Sequence, residues 1–404
     1  MNVRVWTVGW VAWLVGVAVP VSEAKAEDGI PAFARRYGVS CQLCHAPMPK
    51  LSPFGEVFAG NGFRMSAEEP PRDTIATGDP LLTLTKDLPL AIRLDAYAQA
   101  FANGETAADF EMPYNVKILS GGTISKSISY YLYFFLFERG EVGGVEDAFV
   151  TFNDVAGAPV DVAVGQFQVS DPLFKRELRL EFQDYAIYRA RVGDQPADLT
   201  YDRGVMVIAE PAGFTITGIV VNGNGRGEAG PNRRLDDDVA KNFLVHVTRD
   251  LAPSVRLGLL GYHGRQEGAQ VDSPFVTNRL WMAGADATLT LGPAELNLQF
   301  LHREDDRPTF ATVEPHVQTD GGFAELLWQP AGSRWYGLAL YNRVQTDRPL
   351  LDLRLGGPAG VRRYEAITGG AGYLVRRNLR VFAEATWDVE ESASAWVLGL
   401  TTAF

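Results

Sequence analysis

The only two cysteines of this 404-residue chain stand three apart, in Cys41-Gln42-Leu43-Cys44-His45. Two thiols on one short turn can each add to a vinyl group of a porphyrin, and a histidine directly after them is carried beneath the ring, where its imidazole ligates the iron. The spacing predicts one covalently attached haem c, with Cys41 and Cys44 as the attachment thiols and His45 as metal ligand. A disulfide or thioredoxin-like dithiol would call for a βαβ context, which the downstream sequence does not supply. A zinc site would call for a further Cys or His at a nearby spacing, and none follows.

Candidates for the second axial position are few. Met48 follows His45 too closely to reach the opposite face, whereas Met65 is better spaced and Met/His ligation suits cytochromes; a methionine in so small a segment is also ordinary packing. His246 shares its parity with Asn242 and Thr248, which turns it inward in the strand proposed below, where it either approaches the iron, holds a metal or bonds a neighbour. His263 and His302 fall on the opposite parity, and His316 in a loop. The acidic runs Asp236-Asp237-Asp238, Glu304-Asp305-Asp306 and Glu390-Glu391 offer hard oxygen ligands, although solvated loops explain them as well. No phosphate-cradling glycine loop, nucleophile elbow or paired-histidine zinc motif appears.

These groups need elements to position them. Residues 1–26 have the form of a secretory leader: Arg4, an apolar run over 5–20, then Ala24-Lys25-Ala26 with small residues at both required positions. Removing Arg4, Glu23 and Lys25 with it leaves 35 basic and 48 acidic side chains and moves the net charge from −12 to −13. No basic tract is present, so nucleic acid is not an expected partner.

Residues 27–85 form a segment of separate character around the cysteines. Phe33, Tyr37, Phe54, Phe58 and Phe63 give it apolar area to set against a porphyrin, and Ser52-Pro53 has the form of an N-cap followed by proline at the first helical position. The spacing predicts one or two short helices, in a unit too small to hold itself together without the haem or an enclosing wall.

Residues 86–404 alternate. Leu90, Ile92, Leu94, Ala96, Ala98 and Ala100 oppose Arg93, Asp95 and Gln99, and the same alternation recurs at 379–388 and 295–300. About sixteen such segments start near 90, 114, 127, 145, 159, 198, 213, 239, 254, 277, 293, 319, 334, 361, 378 and 395, as an all-β transmembrane barrel requires. Alternate connections are short and turn-rich, at Gly121-Gly122, 155–159, Pro211-Ala212, 250–253, Gly292-Pro293 and 329–332. Those between are mostly longer and polar, at 103–111, 170–197, 222–238, 264–274, 303–317 and 346–360. Short turns on one rim and long loops on the other mark a bacterial outer-membrane barrel. Trp396, Leu398, Leu400 and the terminal Phe404 share the lipid-facing parity of the last strand. A soluble two-faced sheet would show the same alternation, but not that asymmetry and terminus.

The order of parts resembles the fused monohaem cytochrome c–porin family of the bacterial outer membrane, the iron-oxidising type. The residues that carry the resemblance are Pro31-Ala32-Phe33-Ala34, Cys41 to His45, Pro49-Lys50-Leu51 and Phe54-Gly55. Gly165-Gln166-Phe167 and Asp202-Arg203-Gly204-Val205 add a likeness to phosphate-selective porins. The resemblance implies a cytochrome segment plugging or docking at the pore, an electron taken from extracellular iron(II), and delivery to a periplasmic electron carrier; the chain would then be an iron(II)-oxidising oxidoreductase in contact with outer-membrane lipid. Two other readings stand beside it: a passive porin with a periplasmic haem docking or sensing module, and a conduit running outward to an external acceptor.

Overall fold

The computed structural model describes residues 32–45, 50–65, 74–79, 81–86, 89–102, 106–173, 178–179, 181–230, 232–236, 238–268, 274–313, 316–353 and 357–404. The expected leader, Pro31, Met48 and Asp237 lie outside the described residues.

Sixteen antiparallel strands close into one barrel. They are β1 (Leu90–Ala102), β2 (Thr106–Ser125), β3 (Ile128–Glu138), β4 (Val145–Phe152), β5 (Val160–Gln168), β6 (Tyr201–Ala209), β7 (Phe214–Val221) and β8 (Asn242–Ala252). The second half comprises β9 (Val255–Gly268), β10 (Val276–Leu291), β11 (Ala294–Asp305), β12 (Val317–Trp328), β13 (Trp335–Thr346), β14 (Arg363–Arg376), β15 (Leu379–Asp388) and β16 (Ala393–Ala403). Each pairs with the next, and β16 returns to β1, where Phe404 and Ile92 exchange backbone hydrogen bonds of 2.9 and 2.8 Å. Closure leaves no unpaired sheet edge in the membrane.

The side-chain period of two sorts the wall. Leu257, Leu259, Phe300 and Ile367 point outward and are exposed. Trp328, Trp335 and Phe404 lie outward near the short turns, and Trp281, Trp387 and Trp396 nearer the long loops. Two aromatic girdles flanking an apolar band are what a lipid bilayer selects. The short-turn rim is the periplasmic one on the same rule.

Three expectations need correction. Gly121-Gly122 is not a turn but sits within β2, which runs on to Ser125, because the β3 partner strand continues opposite it: Gly121 pairs with Tyr131 and Gly122 with Tyr130. Most of 103–111 is strand as well, since β2 begins at Thr106 and pairs with β1 from there. The stretch 170–197 is not a solvated outer loop. Its described residues fold into the lumen, where α4 (Ala186–Arg189) is buried at all four positions. Tyr185, Ile187 and Tyr188 join inward-facing Leu301, Phe323 and Leu340 in one apolar core. The reason is composition, for Tyr185-Ala186-Ile187-Tyr188 carries too much apolar surface to leave in water.

The loop is also tied by polar contacts. The Tyr185 hydroxyl donates to Glu325 at 2.6 Å, and the backbone N–H groups of Phe182 and Gln183 donate to the Glu384 carboxylate at 3.2 and 3.0 Å. Arg303 donates to the carbonyl of Ala197 at 2.9 Å. Asp184 is ringed by Arg189 at 2.9 Å, Arg139 at 3.2 Å and Arg179 at 3.6 Å. A short strand at Arg191–Val192 pairs with Leu351–Asp352, which pairs with Ala359–Val361, so the loop before β14 is stitched over the first.

Candidate haem site

Three helices precede the barrel: α1 (Ala32–Tyr37), α2 (Cys41–Cys44) and α3 (Pro53–Gly60). The Ser52 side chain caps α3 by accepting from the Gly55 N–H at 3.2 Å, with Pro53 at the first helical position, as the sequence predicts. The same hydroxyl donates to the Leu43 carbonyl at 2.7 Å, and the Ser52 N–H donates to the Cys44 carbonyl at 2.8 Å. The start of α3 is thereby pinned to the haem-motif turn. Gly55 is required there: a Cβ at this position would sit 2.2 Å from the Cys44 carbonyl oxygen, so any side chain would push the two helices apart.

Cys41 and Cys44 are not joined to each other, and each is partly buried. One helical turn separates them, so both thiols leave the same face of α2. His45 follows directly, its N–H bonded to the Cys41 carbonyl at 2.9 Å and its backbone bridged to Leu51. Burial pushes both thiols up from their ordinary range, and the neighbouring Cys41 adds to the effect on Cys44. Beside them Leu43, Phe54 and Val57 stay exposed on α2 and α3. Two separate thiols on one face, an imidazole at the next residue and uncovered apolar side chains on the same helices fit a covalently held porphyrin; with it in place, the iron would supply a one-electron couple.

Of the five aromatics expected to cover such a ring, four pack elsewhere. Phe33 stacks on Phe63 at 5.0 Å and meets Phe58 edge-on at 5.2 Å, while Tyr37 meets Phe58 at 5.7 Å. Phe63 stacks on the inward-facing Tyr131 of β3 at 5.8 Å. Further contacts run to the same rim. Glu56 receives Arg256 at 2.8 Å, Lys50 pairs with Glu295, and Arg35 donates to the Leu90 carbonyl at 2.6 Å. All of these partners lie at strand ends beside the short turns or at the start of β1. Of the two placements expected for the N-terminal segment, plugging the pore or docking at it, its described residues take the second, against the short-turn mouth, while the described residues of 169–200 occupy the space within.

The remaining candidates separate. His246 is inward, as its parity predicts, and its Nε2 lies 2.8 Å from Asp286 Oδ2; of the three roles open to it, the structure shows the bond to a neighbour, here a carboxylate two strands along the wall. Met65 is half-buried in the cap segment. His302 faces outward between Asp320 at 2.7 Å and Glu304 at 3.2 Å, and His316 lies 3.0 Å from Glu304. The acidic runs do not act as units. Asp305 turns inward onto Arg303 at 2.6 Å while Glu304 turns outward, since successive strand residues take opposite faces. Asp236 pairs with Lys241 and Glu390 with Arg363. Among the described residues no group of three or more His, Cys, Asp or Glu side chains is placed to hold a metal ion. The residues that sequence reasoning missed are the lumenal anchors Asp184, Glu325 and Glu384; the apolar run at 185–188 was the signal for them.

With this geometry in hand, comparison with known proteins places the fold. The anion-selective porin from Comamonas acidovorans superposes with a TM-score of 0.56 at 11% identity, over 79% of this chain and 99% of that one. Salmonella typhi OmpF, in a complex with daunomycin, gives 0.54 at 11% identity over 78% and 97%. Vibrio cholerae OmpT, folded in vitro, gives 0.53 at 12% identity over 79% and 99%. No family model matches the sequence, and no curated relative does. The class is that of outer-membrane β-barrels with the porin fold, and the bacterial outer membrane is where this chain resides.

Proposed function

We propose that this protein carries one haem c on Cys41 and Cys44, with His45 as an iron ligand, and passes single electrons across the outer membrane, from extracellular iron(II) to a periplasmic electron carrier. The observation that carries the reading is the pair of separate thiols on one face of α2, with His45 next in sequence, held against the periplasmic mouth. Attachment would add each S–H across a vinyl group, and Cys41 and Cys44, one helical turn apart on α2, are the residues that would hold the porphyrin. The backbone bond from Ser52 to Cys44 and the close approach at Gly55 fix the turn that aims the imidazole. The aromatic cluster of Phe33, Phe58 and Phe63 joins that turn to Tyr131 of the wall. The exposed Leu43, Phe54 and Val57 would supply apolar contact that keeps water from the ring. One redox group handles one electron at a time, which suits transfer rather than multi-electron chemistry.

The test is a denaturing gel of outer-membrane protein stained for haem, followed by reduction of the purified protein with ferrous iron. A haem-positive band at the full-length position that shifts spectrally within seconds of iron(II) addition supports the reading. A haem-negative band ends it; a haem-positive band inert to ferrous iron but reduced by other donors removes only the iron donor. The fold likeness to porins favours a second reading, a passive channel with a haem module at its periplasmic side, and its measurement is ionic conductance.

A further inference from the structure

We infer that the barrel is sealed: the described residues of the loop 169–200, above all 181–200, form a built-in stopper that makes this porin-fold wall impermeable to ions and solutes. Barrels of sixteen strands ordinarily leave an aqueous channel lined with polar side chains. In such a channel the inward residues at the narrowest level remain in contact with water. Here every one of the sixteen strands presents at least one inward side chain with less than a tenth of its surface exposed. Tyr97, Lys117, Phe167, Leu244, Leu301 and Ala366, spaced round the wall, are each exposed by 2% or less.

What covers them is the chain itself. Tyr185 packs on Phe323 at a ring distance of 4.7 Å and Tyr188 on the same ring at 5.7 Å, while Ile187 belongs to the same core. On the other side Phe182 meets Tyr97 at 5.3 Å and Tyr114 at 5.5 Å, with Phe382 5.6 Å from Tyr97. An ion crossing here would have to shed its water between close-packed aromatic side chains and buried groups that already have partners, at a cost far beyond thermal energy. The wall groups Glu325, Glu384 and Arg139 hold the loop through Tyr185, through the Phe182 and Gln183 N–H groups and through Asp184, so opening it would break all three ties together. The sealing is independent of haem attachment, and it bears on the second reading of the function by leaving no passive channel through the wall.

The test is planar-bilayer conductance of the full-length protein, with insertion confirmed by heat-modifiable migration and haem content scored separately by stain. The wild type should show no channel steps. Replacing residues 171–197 by a short Gly-Ser linker should raise the current roughly tenfold or more over the protein-free bilayer, the response of an unobstructed sixteen-stranded barrel. Should that variant fail to assemble, the triple variant Tyr185→Ala, Ile187→Gly, Tyr188→Ala keeps the Asp184 and Glu384 anchors and should conduct. Wild-type channels comparable to those of open porins overturn the inference, as does silence from every inserted variant. A haem-negative but silent wild type would sink the proposed function and leave the seal standing.

Discussion

At the scale of single residues, the site divides into groups that carry chemistry and groups that carry shape. His45→Ala should leave the barrel inserted and heat-modifiable while abolishing the haem redox band; loss of both would contradict a motif segment separable from the wall. Gly165 is a shape residue. Its φ of +146° and the 2.2 Å approach that a Cβ would make to the Ala148 carbonyl leave no room for a side chain. Gly165→Ala should cost about 1–3 kcal/mol, read as a lower urea midpoint with unchanged haem content. The turn that carries Cys41, Cys44 and His45 was legible because the three groups lie within five residues, and so was the outward parity of His302. The partner of His246 was not, since Asp286 is forty residues away and meets it only across the curved wall.

Among elements, the cap of α1 to α3 and the stopper loop are held differently, and each has its own test. The cap rests on aromatic contact, with Phe63 stacked between Phe33 and Tyr131. Phe63→Ala should weaken its seat by about 1.4 kcal/mol, roughly a tenfold faster protease cleavage in residues 27–65; an unchanged rate would show that the salt bridges from Arg256 and Lys50 suffice. The stopper rests partly on charge. Burial opposes ionisation of Asp184, but the guanidiniums of Arg189, Arg139 and Arg179 outweigh it and hold the carboxyl down at about 2. Its folded pKa is depressed, so its contribution is complete above the unfolded value of about 3.9 and is lost as pH falls through about 2. The seal should thus persist from neutrality down to about pH 4 and leak only below, and Asp184→Asn should leak at neutral pH; a wild-type leak beginning near pH 6 would assign the anchor to another group. The strands were legible because their faces alternate. The stopper was not, because alternation says which side chains point inward and nothing of what meets them there.

For the whole molecule, topology sets which side of the membrane each part can be reached from. The membrane is crossed by strands, the described loop residues occupy the lumen, and the described cap residues touch Leu90, Tyr131, Arg256 and Glu295, all beside the short turns. The long connections leave from the opposite rim. Short turns face the periplasm in this class of barrel, so the cysteines of the cap belong to the periplasmic compartment even though the extracellular loops lie in the same chain. In cells that export the protein but can neither attach haem nor introduce disulfides in the periplasm, the thiols stay reduced and report their address. A polymer-linked maleimide too large to pass through other porins, added to intact cells, should label neither Cys41 nor Cys44; after the outer membrane is opened it should label both, more slowly than an ordinary exposed thiol because burial raises both thiols. Labelling of intact cells would mean that the cap lies at the outer mouth. The electron path proposed above would then have its donor and acceptor sides exchanged, with the wall itself unaltered.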